Sequence, residues 1–322
     1  MRKLKPSVKE FLKKLNEETV ELVTAGFKPN AINARESIKN LTEQYNTEKT
    51  DVAKIVDDII PKKNGFCVPI RIFHPNPKKE LPVMIFFHGG GFIAGSVTVY
   101  DTIYRNLAAK TNHIIIAPEY RLAPENPYPA GEIDSRSVYY GILPLLKRIK
   151  MPHKKELVVA GDSGGGTLAA ALVRDVQHDK TMPLKAMVLI YPGLDFTMSY
   201  PSYKKTINGK GYLLEKEKSK WYFDNYFQQG ENRRLLSPLF GEFSEDMPPT
   251  LLFSAEFCPL RDENIAYVEK CKEAGVQVEH HHLENMIHTF LNIEDLCKEE
   301  TEFVYEKINE FLKNPKKDSV SA

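Results

Sequence analysis

The stretch Leu157–Val173, "LVVAGDSGGGTLAAALV", decides the fold. Its first residues form an apolar run without polar alternation, which reads as a strand buried on both faces. Its last residues read as a helix of small side chains, and between the two stands Gly161-x-Ser163-x-Gly165. A serine on so tight a strand-to-helix turn has a strained backbone, and positions two before and two after it tolerate almost no side chain. The helix that follows begins with free N–H groups aimed at the serine. Ser163 is therefore the candidate nucleophile. The letters "GDSGG" also surround the serine of trypsin-like proteases, but those are all-β and order their residues His, Asp, Ser. Here Ser163 lies mid-chain in a strand–turn–helix. A phosphate-binding turn would need GxGxxG spacing or a P-loop lysine, and the segment has neither.

Outward from this turn the same rhythm repeats. The apolar runs "LPVMIFFH", "HIIIAPEY", "KAMVLIYPG" and "PTLLFSAEF" alternate with the helical segments "DTIYRNLAAKT", "SRSVYYGILPLLKRI" and "DENIAYVEKCKEAG", and "VQVEHHHLE" supplies a more polar last strand. Strands alternating with helices imply an α/β fold with a mostly parallel central sheet, here of about eight strands, and helices on both faces. Upstream, "AKIVDDIIP" and "CVPIRIFHP" flank "KKNG", an Asn-Gly hairpin signal. Two helical patterns over 7–23 and 33–45 open the chain, and residues 195–246, rich in aromatics and holding the single tryptophan, Trp221, break the rhythm. The expected organisation is an N-terminal helical cap segment over 1–50, a core over 51–194 and 247–314, a cap insertion over 195–246 and a disordered tail over 315–322.

Composition excludes several function classes. Forty-four Lys+Arg against 43 Asp+Glu leave no global field for nucleic acid or an anionic membrane. The lysine-rich "LLEKEKSK" (213–220) interleaves its charges and reads as a solvated face. Cys67, Cys258, Cys271 and Cys297 lack CxxC spacing, which argues against a zinc site or a redox pair and for a reducing compartment, the cytoplasm. No apolar run is long enough to span a bilayer. "HHH" at 280–282 invites a metal reading, but on a strand only His280 and His282 share a face, too few for a zinc site.

Two further motifs carry chemistry. "IFFHGGGF", Ile85–Phe92, ends a strand with glycines that let bare backbone N–H groups approach a developing oxyanion. "LENMIHTFLN" sets His288 after the last strand and before the helix pattern "IEDLCKEETEFVYEKINEFL". Together "HGGGF", "YRLAPE…YPA", "GDSGGG", "YPGLD", "AEFCPLRDE" and "MIHTF" closely resemble the hormone-sensitive-lipase-like family of α/β-hydrolases, which includes bacterial carboxylesterases and arylacetamide deacetylases. The resemblance covers about residues 65–310. It implies the α/β-hydrolase fold, with Ser163 as nucleophile, His288 as general base, and Gly90, Gly91 and Gly164 as oxyanion donors. Hydrolysis of short-chain carboxylic esters is the implied activity, with an amidase or deacetylase as a more distant alternative. The implied partner is a small-molecule ester, with no metal or organic cofactor, and a homodimer stays open as an assembly state.

The chain departs from the family pattern at one decisive position. Where the family places the triad aspartate, in Asp-Pro-Leu-Arg-Asp, this sequence has Cys258. A thiol is mostly neutral at pH 7 and a weak acceptor, so it is a poor partner for an imidazolium. Asp262 is the candidate substitute acid, although it opens a helix and suits a capping role, and Glu256 shares the strand face with Cys258. A water or a chloride filling the gap, and a cysteine nucleophile, are further readings. Milder departures are Gly164 where alanine is usual and Thr289 where glycine usually follows the histidine. Either the chain is a slowed serine esterase, or it is a small-molecule binding protein or sensor that kept the pocket and lost the catalysis.

Overall fold

The computed structural model describes residues 3–61 and 67–313. Eight strands form one sheet: β1 (Lys54–Ile60), β2 (Val68–His74), β3 (Leu81–Phe87), β4 (Ile114–Pro118), β5 (His153–Asp162), β6 (Leu184–Ile190), β7 (Thr250–Phe257) and β8 (Val278–Ile287). Their order across the sheet is β1-β2-β4-β3-β5-β6-β7-β8. The β1–β2 and β2–β4 pairs are antiparallel, and every pair from β4 to β8 is parallel. The apolar runs lack alternation because both faces are covered. Along β3, Val83, Ile85 and Phe87 enter one core while Met84 and Phe86 enter the other. The strands flanking the Asn-Gly signal pair as expected, whereas the signal itself, like the tail over 315–322, lies outside the described residues.

Nine α-helices complete the described chain: α1 (Pro6–Thr24), α2 (Ala31–Tyr45), α3 (Asp101–Thr111), α4 (Ala130–Arg148), α5 (Ser163–Val176), α6 (Lys216–Tyr226), the single turn α7 (Arg233–Leu236), α8 (Arg261–Glu273) and α9 (Lys298–Lys313). Helices α4, α5 and α8 contribute to the core on one face, and α1, α3 and α9 to that on the other. Parallel connections make this the doubly wound arrangement, and functional groups collect beyond the carboxyl ends of its strands.

The helix after His288 begins later than its sequence pattern suggests. Phe290–Leu296 forms 3-10 turns with a non-helical Ile293, and α9 starts only at Lys298. Tertiary contacts override local preference here. Asn46, at the end of α2, donates to Leu291 O (2.7 Å) and accepts from Glu294 N (2.9 Å), and Asn292 donates to Thr42 Oγ1 (2.9 Å). Asn46 thereby satisfies backbone groups that a helix would otherwise have paired internally.

Candidate active site

Strand β5 ends at Asp162 and α5 begins at Ser163, whose φ of +51° is a left-handed conformation that a side chain adopts only under constraint. The two glycines of the motif have a measurable reason. A Cβ on Gly161 would strike the Gly165 carbonyl, and one on Gly165 would strike the Phe87 carbonyl, both far inside van der Waals contact. The elbow therefore exists only because these positions lack side chains.

The glycine loop after β3 lies directly against this turn. Gly90 and Gly91 take φ values of +114° and +62°. Ile93 N and Ala94 N both bond to Gly90 O, at 3.2 and 2.9 Å, so the loop is a closed turn. Among the described residues, the N–H groups of Gly90 and Gly91 donate to no protein acceptor. A Cβ on Gly164 would lie 3.2 Å from both Gly91 N and Phe92 N, so the start of α5 and the loop face each other closely. Asp162 braces the loop: its Oδ1 accepts from Gly89 N at 2.7 Å and its Oδ2 from the Tyr100 hydroxyl at 3.1 Å. Burial pushes the Asp162 carboxyl up to about 7. From α2, Arg35 donates to Ile93 O (2.9 Å) and Ala123 O (3.1 Å). From α6, the Tyr222 ring rests on Gly91, where an added Cβ would lie 2.6 Å from its carbons.

His288 follows β8 immediately and is buried. Its Nε2 is 2.8 Å from Ser163 Oγ, and its ring stands edge-on to Tyr191, 4.7 Å between centroids. Its Nδ1 is 3.3 Å from Cys258 Sγ, which also receives the Leu260 N–H at 3.4 Å. For the Ser163 hydroxyl to donate to Nε2, the proton of the neutral ring must sit on Nδ1, so the sulfur accepts two N–H groups. Burial and, next, the positive charge of Lys218 push His288 down to about 3, and burial pushes the Cys258 thiol far up. Both groups are neutral at pH 7.

The fold agrees with the comparisons. A family model described as alpha/beta hydrolase fold matches residues 84–292, and one described as carboxylesterase family matches residues 28–124. The chain is 29% identical over 262 residues to an ethyl acetate hydrolase of Pseudomonas putida, covering 79% of this chain and 81% of that protein. It is 28% identical over 287 residues to the human arylacetamide deacetylase-like 2 protein, covering 70% and 72%. A hyperthermophilic esterase from the archaeon Pyrobaculum calidifontis superposes with a TM-score of 0.84 at 27% identity, covering 97% of this chain and 98% of that one. The chain belongs to the hormone-sensitive-lipase-like family of α/β-hydrolases. In this site the group that faces His288 Nδ1 is a thiol.

The neighbours of that thiol are engaged elsewhere. Asp262 accepts from Ser202 N (2.8 Å) and from Arg261 Nε (2.8 Å). It does not cap its helix: the N-cap position is Leu260, and Asp262 is the second helical residue, because the tight Cys258–Arg261 turn starts α8 early. Glu256 does not follow Cys258 either. Strand parity ends with β7 at Phe257, so Glu256 turns to His282 Nε2 (2.8 Å) and Arg261 (2.9 Å) while Cys258 turns to His288. His280 and His282 share a face as the strand period requires, and both meet Ser254 Oγ at 2.8 Å. Among the described residues no group of His, Cys, Asp or Glu is arranged to hold a metal ion, and no helix is long and apolar enough to cross a membrane.

Sequence reasoning assigned no part to Asp162, Tyr191, Asn208 or Lys218. The buried Asn208 amide donates to Glu256 O (2.8 Å) and Cys258 O (2.9 Å), holding the thiol's backbone. Asp162 and Tyr191 left a signal, their places inside the "GDSGG" and "YPGLD" motifs.

Proposed function

We propose that the protein is a serine carboxylesterase for short-chain esters, slowed by the thiol at its third triad position. The observation that carries this reading is the 2.8 Å contact between Ser163 Oγ and His288 Nε2 at the elbow, beside a glycine loop with free N–H groups. In this mechanism Ser163 Oγ attacks the ester carbonyl as its proton passes to His288 Nε2. The N–H groups of Gly90, Gly91 and Gly164 receive the oxyanion, the alcohol leaves with the proton from Nε2, and water repeats the sequence to release the acid. The imidazolium formed midway finds a neutral sulfur where relatives of the triad type present a carboxylate. Loss of that charge costs about 10⁴-fold in related triads, while oxyanion donors and binding retain about 10³–10⁴ over water. The N-terminal helices over 1–50 and the insertion over 195–246 act in this reading as a cap over the pocket, supported by Arg35 and Tyr222 against the glycine loop. The unpaired state of all four cysteines supports a reducing, cytoplasmic location.

Labelling by a fluorophosphonate probe that Ser163→Ala abolishes is the expected result, and absence of labelling sinks the proposal. Hydrolysis of p-nitrophenyl acetate and butyrate is expected to rise at least ~10²-fold in Cys258→Asp. A second reading, a binding protein or sensor that uses the same pocket, is favoured by the neutral Cys258–His288 pair, and an unlabelled Ser163 with intact ligand binding would support it.

A further inference from the structure

The C=O and the N–H on either side of one peptide bond belong to a single conjugated unit. A hydrogen bond accepted at its oxygen therefore strengthens the donor at its nitrogen. In the glycine loop this ties a charged side chain to an oxyanion donor. Gly90 O and the Gly91 N–H share one peptide unit, and Gly90 O accepts from Ala94 N at 2.9 Å and from Ile93 N at 3.2 Å. The oxygens of those two peptide units are bonded in turn. Ile93 O, which shares a unit with the Ala94 N–H, accepts from Arg35 Nε at 2.9 Å. Phe92 O, which shares a unit with the Ile93 N–H, accepts from Ala123 N at 2.9 Å. Two chains of hydrogen bonds thus converge on the Gly90 carbonyl, pointing the same way, and one of them begins at a guanidinium. By contrast Gly89 O, in the unit of the Gly90 N–H, meets the imidazole of His88 at 2.8 Å, and burial holds that ring neutral. The guanidinium is itself fixed in place. Its Nη1 and Nη2 donate to Glu125 at 2.9 and 2.6 Å, and Nη2 also reaches Ala123 O at 3.1 Å.

We propose that Arg35 is a positioning residue for ester hydrolysis that acts through two peptide units, polarising the Gly90–Gly91 peptide and so strengthening the Gly91 N–H as a donor to the oxyanion. The ester carbonyl carries little charge in the ground state and gains little from this, whereas the tetrahedral oxyanion gains most. The effect therefore belongs to kcat and not to KM. Helix α2 takes part in catalysis in this way without touching the ester. This inference rests on the esterase reading above, and different measurements test the two.

Hydrolysis of p-nitrophenyl butyrate by the wild-type chain, abolished in Ser163→Ala, tests the esterase reading alone. The inference is tested by two variants. Arg35→Met keeps the apolar stem and removes the donors. It is expected to lower kcat about three- to tenfold with KM unchanged, a fraction of the roughly 10²–10³-fold that a direct oxyanion donor contributes. A trifluoromethyl ketone with a butyl chain, to which Ser163 adds to give a bound oxyanion, should lose affinity by a similar factor. An unchanged kcat, a loss carried by KM, or a ketone that binds equally well overturns the inference. Glu125→Gln removes the counter-charge and leaves the guanidinium on Ile93 O, and it keeps the test open if Arg35→Met fails to fold. A clip that only holds the loop would be weakened by this change, whereas a polarising charge is strengthened, so kcat is expected to rise about twofold. An equal or lower kcat overturns the inference. Where the wild-type chain shows no turnover, calorimetry with butyrate, whose carboxylate oxygen takes the oxyanion's place, reads the same donor. Weaker binding to Arg35→Met then supports the inference, and equal binding overturns it.

Discussion

At the scale of single residues, Cys258 changes the pH behaviour of the site as well as its rate. The active form of His288 is the neutral ring, so activity falls as pH drops through its pKa. Burial and Lys218 hold that pKa at about 3, and the neutral thiol at Nδ1 does nothing to raise it. The wild-type kcat/KM should therefore show no acid limb above about pH 4. In Cys258→Asp a carboxylate 3 Å or so from Nδ1 raises His288 toward its ordinary value of about 6.5, and an acid limb should appear between about pH 5 and 7. A pH–rate profile of both proteins checks this, and coincident limbs would refute it. Thr289 offers a second residue-scale test. Its φ is +69°, a left-handed conformation that costs a β-branched residue about 1–2 kcal/mol and glycine little. Thr289→Gly should stabilise the fold by up to about 1 kcal/mol, the relief of strain being partly offset by the greater chain entropy of glycine when unfolded. Urea unfolding measures it.

At the scale of elements, the segment after His288 is positioned by a helix from the opposite end of the chain. Asn46 closes α2 and makes two hydrogen bonds, one buried and one half-buried, to the backbone of residues 291 and 294. Removing the side chain leaves a buried carbonyl and a half-buried N–H without partners, at about 1–3 kcal/mol for the first and less for the second. Asn46→Ala should lose about 2–4 kcal/mol in urea unfolding and lower ester turnover as well, because His288 lies at the base of the loosened segment. Loss of stability with unchanged turnover would separate the segment from the site. The same contacts show what a sequence can and cannot disclose. The strands were legible because both faces of β3 to β7 are buried over most of their length, which writes apolar runs without alternation. The elbow and the glycine loop were legible because steric exclusion demands glycine at fixed offsets from Ser163. The delayed start of α9 was not, because its cause lies about 250 residues upstream in Asn46. The bracing of Gly89 by Asp162 spans 73 residues, and the hold of Asn208 on Cys258 spans 50, so no local pattern announces either. The helix-capping reading of Asp262 failed for a related reason: a single tight turn moved the start of α8 by two residues.

At the scale of the whole molecule, buried titratable groups of opposite kind offset one another. Burial pushes His88, His113 and His280 down to about 4 and His288 to about 3. Each of these histidines gains a proton on unfolding below about pH 6.5, so each makes stability fall as pH falls. Burial pushes Glu132, Asp162 and Glu294 the other way, up to about 7. Each of these carboxyls keeps its proton in the folded state and releases it on unfolding above about pH 4, so its contribution is full at low pH and is lost as pH rises toward 7. Burial pushes Glu263 up as well, so between about pH 4.5 and 6.5 the two sets nearly cancel and stability should change little with pH. Asp162→Asn tests the balance. The amide oxygen can still accept from Gly89 N, but it cannot release a proton on unfolding. The slope of stability against pH in this window should therefore steepen by about one proton, with stability falling faster toward acid. Denaturant titrations at half-unit pH intervals measure both slopes. An unchanged slope in Asp162→Asn would mean that the Asp162 carboxyl is already ionised in the folded protein at pH 5, and that the glycine loop is braced by a buried carboxylate anion.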